Sequence, residues 1–301
     1  KAVLITGCDT GFGRAAAVRL YERGMTVFAA CLTENGVHEL KSECPGDRME
    51  AFVMNETDDE SVEKGFVYVN NKVGPRGLWA VINNAGVLRG GPLELCSLAD
   101  WKLCLDVNVM GIARVTKQFF PLIRANPDNE SEAGRIINVA SVAGRLALPS
   151  TACYSASKFA VQGLSDALRR ECALWNVRVV IIEPGIMKTP LYDKPLNLDE
   201  VKKHFESLSP SIQDMYGLEY VIKGQEDFRK LLIKHGGDPI EVVDGMEKAV
   251  CLRYPPTRMA IGADTPAWLW TAALPTCLGD FLIRKAFGKN KPAKCPANLN
   301  K

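Results

Sequence analysis

The 301-residue chain carries almost no net charge, +2 at pH 7, and no basic helix interleaved with aromatics. That excludes the electrostatic footprint of a nucleic-acid partner. Its 10 cysteines form no CxxC pair, so neither a zinc ligand set nor a disulfide framework is expected, and no metal is assigned. Ten unpaired thiols fit a reducing compartment, or a domain facing one. No internal repeat and no low-complexity tract interrupts the chain. There is also no clean apolar run of the ~20 residues that a membrane span needs. The nearest, 266–283, is interrupted by Asp280 and two prolines. An initiator Met and a leader are missing too. Lys1 already opens an apolar strand, so the expectation is that the natural N-terminus, with any signal or anchor, lies upstream.

What is present is ordinary globular composition, 47% hydrophobic and 24% charged, enough for one large α/β domain or two smaller ones. Apolar strands are expected at 1–6, 25–31, 49–54, 78–82, 135–140 and 178–183, with a last one at 258–261. Helical spacing lies between them, at 12–23 and 60–71 among others. Strands that are apolar throughout and alternate with helices predict a parallel sheet covered on both faces. The fold class is therefore α/β, a doubly wound parallel sheet of Rossmann type in a single domain. After Pro190 the alternation stops. Residues 191–236 read as a helical insertion over the active site, the alternative being a plain structural helical pair. Residues 264–301 read as an apolar C-terminal helix followed by a basic tail.

The segment TGCDTGFG at 6–13 lies between the first strand and the first helix. Gly7, Gly11 and Gly13 would let the backbone approach a pyrophosphate, and the helix N-terminus offers free N–H groups and partial positive charge. The spacing is G-x3-G-x-G, so position at the end of an N-terminal strand carries this reading more than the pattern does. Asn84, Ala85 and Gly86 end the fourth strand, where ligands bind in such sheets.

Tyr154 and Lys158 are four apart at the start of a helical stretch and so share a face. An ammonium near a phenol favours the phenolate, and a tyrosine so tuned can take an alcohol's proton. Ser141, at the end of the fifth strand, can donate to the substrate oxygen. Asn108, in a helical stretch, could anchor a water relaying protons to Lys158. A Tyr and Lys four apart are most often a surface pair, so the reading rests on their order after the other motifs. Pro184 and Gly185 follow the sixth strand and leave room for a flat ring, and Thr189 could bond a nicotinamide amide.

Together these residues resemble the short-chain dehydrogenase/reductase family, by motif over 1–190 and more loosely beyond. The resemblance implies Asn108, Ser141, Tyr154 and Lys158 as catalytic residues. For the cofactor it implies Gly7, Asp9, Thr10, Gly11, Phe12, Gly13, Asn55, Asn84, Ala85, Gly86, Tyr154, Lys158, Pro184, Gly185 and Thr189. The opening segment, GLWAVINNAG at 77–86 and the 215–217 stretch are similar to the branch of retinol, oxidative hydroxysteroid (17β and 11β, type 2 of each) and 3-hydroxybutyrate dehydrogenases. The C-terminal end is most like the type 2 17β-hydroxysteroid members, and the step from Ser141 to Tyr154 is closer to the steroid and hydroxybutyrate members than to the retinol ones. The substrate stays open between a lipophilic alcohol and a hydroxy acid, with a catalytically silent binding protein as the remote alternative. Two positions depart from the family: Asn55 stands where an Asp is usual near the adenine, and 31–33 offer neither the Arg of NADP enzymes nor the Asp of NAD enzymes.

Asp9 and Thr10 occupy the turn where NADP members often place a cation, and Arg14 falls inside the first helix. A 2′-phosphate needs a cationic partner, so NAD is expected over NADP. The tryptophans of 266–283 and the cations Arg284, Lys285, Lys289, Lys291 and Lys294 suit a segment lying at a membrane surface. A helix closing the substrate pocket, or a homodimer contact, is the other reading. The resemblance implies the endoplasmic reticulum membrane, with the mitochondrion as alternative.

Overall fold

The computed structural model describes residues 1–126, 133–188, 198–287 and 292–294. The run AVLIT has no charged side chain to turn outward, and β1 (Ala2–Thr6) lies inside a seven-stranded sheet. The other strands are β2 (Thr26–Cys31), β3 (Met49–Val53), β4 (Ala80–Asn83), β5 (Gly134–Val139), β6 (Val177–Pro184) and β7 (Arg258–Ile261). Their order is β3-β2-β1-β4-β5-β6-β7, and every pairing is parallel. Strand ends differ from the expected ones by a residue or two. Leu78 and Trp79 precede β4, although Trp79 N–H already donates to Ala2 O at 2.8 Å.

In chain order the helices are α1 (Gly11–Glu22), α2 (Glu34–Glu43), α3 (Asp59–Val73), α4 (Leu98–Leu105), α5 (Ile112–Arg124), α6 (Ala152–Cys172), α7 (Leu198–Glu206), α8 (Pro210–Tyr216), α9 (Leu218–His235), α10 (Pro239–Cys251), α11 (Thr265–Ala273) and α12 (Thr276–Phe287). Successive strand residues point to opposite faces. Val3 and Ile5 of β1 therefore pack with Leu20 of α1, Leu40 of α2 and Met246 of α10. Leu4 packs on the other side with Val69 of α3 and Phe119 of α5. Both faces of the sheet are covered, which leaves only the strand ends for chemistry.

Three regions differ from the sequence reading. α2 is passed over by an apolar-spacing argument because only Gly36, Val37 and Leu40 of its ten residues are buried; its start is set by Thr33, whose Oγ1 accepts from Gly36 N–H at 3.1 Å. The stretch holding Asn108 is not a continuous α-helix: a π-helical turn (Asp106–Gly111) separates α4 from α5. Such turns widen a helix locally and recur at functional sites. The C-terminal apolar segment is two helices, because Pro275 cannot continue α11. Among the described residues, no helix is long and apolar enough to cross a membrane.

Candidate active site

At the end of β1 the chain must turn sharply and leave space. Gly7 and Gly11 adopt φ of +69° and +64°, which L side chains resist. A Cβ at Gly13 would lie 2.3 Å from Gly7 O and 2.5 Å from Asn84 Nδ2, while one at Gly11 would meet open space. Asn84 Nδ2–H donates to Thr6 O (2.9 Å) and Gly7 O (3.1 Å), and Thr6 Oγ1 accepts from Asn84 and Ala85 N–H. The turn is thereby fastened to the end of β4. α2, α3, α4 and α10 have side-chain caps at their N-termini; α1 has none, and no acid sits in its first turn. Its free N–H groups are left for an anion.

A cleft of about 640 Å³ runs along these strand ends. Gly7, Asp9, Thr10, Gly11, Phe12, Asn55, Asn84, Ala85, Gly86, Ser141, Tyr154, Lys158, Pro184 and Gly185 all line it. Gly13 and Asn108 stand behind the lining, and Thr189 lies outside the described residues. Asn108 is fully buried: Oδ1 accepts from Val87 N–H at 2.8 Å, and Nδ2–H groups donate to Val87 O and Ser157 Oγ, each at 2.9 Å. These bonds engage the side-chain amide in fixing the β4 exit against α6. Asn55 is also engaged, its Oδ1 accepting from Thr57 N–H (3.1 Å) and Oγ1–H (2.8 Å). Asn55 thus lines the cleft with its amide oxygen tied to Thr57.

Ser141 Oγ accepts from Ala143 N–H at 3.1 Å and donates to Pro184 O at 3.3 Å. Lys158 Nζ donates to Val139 O at 3.0 Å and sits 5.7 Å from the centre of the Tyr154 ring. Burial pushes the Tyr154 phenol up to about 12, against a hydrogen bond with Ser141 that favours the phenolate. Burial also draws the Lys158 ammonium down to about 8. The expected net depression of the phenol by Lys158 is therefore not met. Desolvation outweighs it: removing water penalises the charged form of both groups at once.

Several cleft residues escaped the sequence reading because only the tertiary fold brings them in. Phe228 of α9 and Trp268 of α11 reach the lining, as do Leu88, Arg89, Leu146 and Met187. Arg89 is paired with Asp100 (3.4 Å). Glu56 lines the glycine-turn end, its carboxyl raised by burial.

Taking a proton from an alcohol leads nowhere without an acceptor for its hydride, and the glycine cradle gives one a seat in the same cleft. The open space at Gly11, the close packing at Gly13 and the uncapped α1 all fit a dinucleotide, which places the protein in the class of nicotinamide-dependent oxidoreductases. Comparison with known proteins makes this specific. The short chain dehydrogenase model matches residues 1–198, and the chain belongs to that family. It is 39% identical over 296 residues to the 17-beta-hydroxysteroid dehydrogenase type 6 of Rattus norvegicus, covering 98% of this chain and 90% of the relative. It is 38% identical over 296 residues, with the same coverage, to retinol dehydrogenase 7 of Rattus norvegicus. It is also 38% identical over 287 residues to dehydrogenase/reductase SDR family member 9 of Bos taurus, covering 95% and 88%. A short-chain dehydrogenase from Streptomyces avermitilis superposes with a TM-score of 0.72 at 26% identity, covering 96% and 97% of the two chains. At 23% identity, a Burkholderia phymatum family member solved in complex with NAD gives a TM-score of 0.73, covering 99% and 98%, and shares the fold.

Gly13→Ala tests the cradle. The added methyl has no room beside Gly7 O and Asn84 Nδ2, so stability should fall by about 1–3 kcal/mol. NADH affinity, read by titrating nicotinamide fluorescence, should fall at least tenfold. Unchanged affinity would remove the cradle from the cofactor site.

Proposed function

We propose that the chain oxidises a lipophilic alcohol, a hydroxysteroid or retinol, to the ketone or aldehyde with NAD, using Tyr154 as acid/base. One observation carries this reading. Tyr154, Ser141 and Lys158 open onto the same cleft as the glycine turn, and the walls around them are apolar: Leu88, Val142, Leu146, Leu148, Met187 and Phe228. The relatives named for 17-beta-hydroxysteroid and retinol dehydrogenases support the same substrate class.

Bound NAD would accept hydride from the alcohol carbon. The chain's own groups handle the proton. Ser141 Oγ, held by Ala143 N–H, turns its proton from Pro184 O to the substrate oxygen and aligns it with Tyr154. Lys158, anchored on Val139 O, supplies the charge that holds Tyr154 as the phenolate. The phenolate oxygen takes the hydroxyl proton and becomes the phenol again. Asn108 supports this arrangement by fixing Val87 and Ser157. The helices α7 to α9 act as a lid, with Phe228 as its contact with substrate.

The preference for NAD rests on the end of β2. Asp9 accepts from Leu32 N–H (2.6 Å), Thr33 N–H (3.0 Å) and Thr33 Oγ1–H (2.6 Å), which leaves acceptor capacity for a ribose hydroxyl. Arg14, the nearest cation in sequence, is engaged by Glu39 and Glu43. A 2′-phosphate would meet carboxylates there and no free cation on the described lining. A hydroxy acid is less well served than a lipophilic alcohol, because Arg89, the described lining cation other than Lys158, is already neutralised by Asp100.

The chain also lies against a membrane, that of the endoplasmic reticulum by family resemblance. Trp270, Leu278 and Phe281 are exposed on α11 and α12 beside Arg284 and Lys285, which suits an interfacial segment. Replacing Trp270 and Phe281 by Ser should abolish co-sedimentation with anionic vesicles. If the parent chain stays in the supernatant and instead runs as a dimer that these changes split, the patch is a subunit contact.

The substrate test is NADH formation with a panel of hydroxysteroids, retinol and 3-hydroxybutyrate, run with NAD and NADP. A lipophilic alcohol should win, with kcat/KM at least tenfold higher for NAD. Tyr154→Phe should lower kcat by about 10²–10⁴-fold while leaving NADH binding within twofold. Full activity in that variant defeats the mechanism, and a parent chain that binds NADH but oxidises nothing supports a binding role.

The pH dependence follows from the buried pair. With the phenol near 12 and the amine near 8, the first proton leaves the pair at about 8. Which group then holds the negative or neutral form is a matter of tautomers within one site. Below that pH both groups are protonated and no base exists. Oxidation kcat/KM should therefore rise about tenfold per unit up to pH 8 and level off above it. In Lys158→Met the rise should move upward toward the tyrosine's own value. A flat profile from pH 6 to 9 with chemistry rate-limiting would contradict this assignment.

A further inference from the structure

Asp264 precedes α11, where an aspartate ordinarily accepts from the second or third N–H of its helix. It makes no such cap. Its side chain instead turns to the floor of the cleft. Oδ2 accepts from Ile186 N–H at 3.0 Å and from Trp268 Nε1–H at 2.7 Å. Ile186 follows Gly185 at the exit of β6, and both line the cleft, as does the Trp268 ring. Trp268 is backed by Phe287 of α12, the ring centres 6.2 Å apart and the planes 29° from parallel. The other oxygen, Oδ1, is buried and has no hydrogen-bond partner. It packs against Gly185 so closely that a Cβ there would lie 2.2 Å away. An unpaired buried carboxylate oxygen is costly, and a helix cap has been forgone as well. The fold bears both costs at a point joining the cofactor floor to an aromatic wall.

We propose that Asp264 is a positioning residue that fixes the Trp268 indole relative to the Gly185–Ile186 floor, making Trp268 a specificity-determining residue for flat, fused-ring alcohols. The proposal rests on the lipophilic-alcohol reading and deepens it. A single carboxylate oxygen holding two donors from separate elements sets the distance between floor and wall. A planar substrate has room to lie along the indole; a small acyclic alcohol makes little use of that face. Removing the carboxylate frees the indole to swing without touching Tyr154, Ser141 or Lys158.

The test compares Trp268→Phe, Asp264→Ala, Asp264→Asn and the double variant Asp264→Ala/Trp268→Phe. Alcohol KM and kcat are measured with a hydroxysteroid and with a short acyclic secondary alcohol. Asp264→Ala should raise the hydroxysteroid KM five- to tenfold, keep kcat within twofold and leave the acyclic alcohol's KM unchanged. Trp268→Phe should produce most of that rise and leave NADH affinity within twofold. The double variant should be no worse than Asp264→Ala, and Asp264→Asn, whose amide oxygen can still accept both bonds, should recover at least half the loss. Additive effects, an equal KM rise for both alcohols, or a loss confined to kcat would overturn the proposal. A second readout needs no substrate: acrylamide quenching of the Trp268 indole, taken as the difference from the Trp268→Phe background. It should increase at least twofold in Asp264→Ala and stay near parental in Asp264→Asn; unchanged quenching in Asp264→Ala overturns the proposal. A parent chain that oxidises no member of the panel defeats the lipophilic-alcohol reading alone, and the positioning role is then decided by the quenching.

Discussion

A phenol and an amine share a site from which water is largely excluded, and the desolvation of that pair governs the chemistry the cleft can do. Removing water disfavours phenolate and ammonium alike, so the two groups move toward neutrality from opposite sides. The pair then holds its proton until some other interaction favours separating charge. Ser141 is placed to do so from the substrate side, and Val139 O steadies the amine from the sheet. Buried thiols add to the dry surroundings. Cys104 is pushed up to about 11, and Cys153, beside Tyr154, is buried against it. Below about pH 8 the pair thus carries only the ammonium charge, and a base appears once the pair loses its first proton.

That arrangement depends on a sheet buried on both faces. With Val3 and Ile5 covered on one side and Leu4 on the other, polar chemistry can collect only where strands end. Thr6, Asn84 and Gly13 then fit three strand-end and helix-start segments together within hydrogen-bond distance. From the same turn, Asp9 reaches the end of β2, where Leu32 and Thr33 N–H groups donate to its carboxylate.

The parts of the fold that were legible in the sequence are those with local causes. Apolar strands, the glycine turn, and a tyrosine and lysine one helical turn apart are each fixed by their neighbours in the chain. α2 was not legible because few of its residues are buried and its boundary lies in one hydroxyl, that of Thr33. The π turn was not legible because its cause is tertiary: Asn108 must reach Val87 and Ser157 at once. The direction of the Tyr154 shift was misjudged for a related reason. Spacing reveals which charge is near, but desolvation depends on everything packed around the pair. Phe228, Arg89 and Trp268 reached the cleft from segments with no motif to mark them.

The C-terminal segment shows how one stretch of sequence can face two ways. As an apolar run it suggested either an interfacial helix or a wall of the pocket. Pro275 divides it, and α11 presents Trp268 to the cleft while Trp270, two residues on, faces outward. Residues two apart on a helix point about 200° from one another, so the same helix can close the pocket and still offer an apolar outer face. An alcohol that dissolves poorly in water would then have a short path from an apolar surface to Tyr154. In that geometry one helix carries both a wall of the cleft and an exposed apolar face.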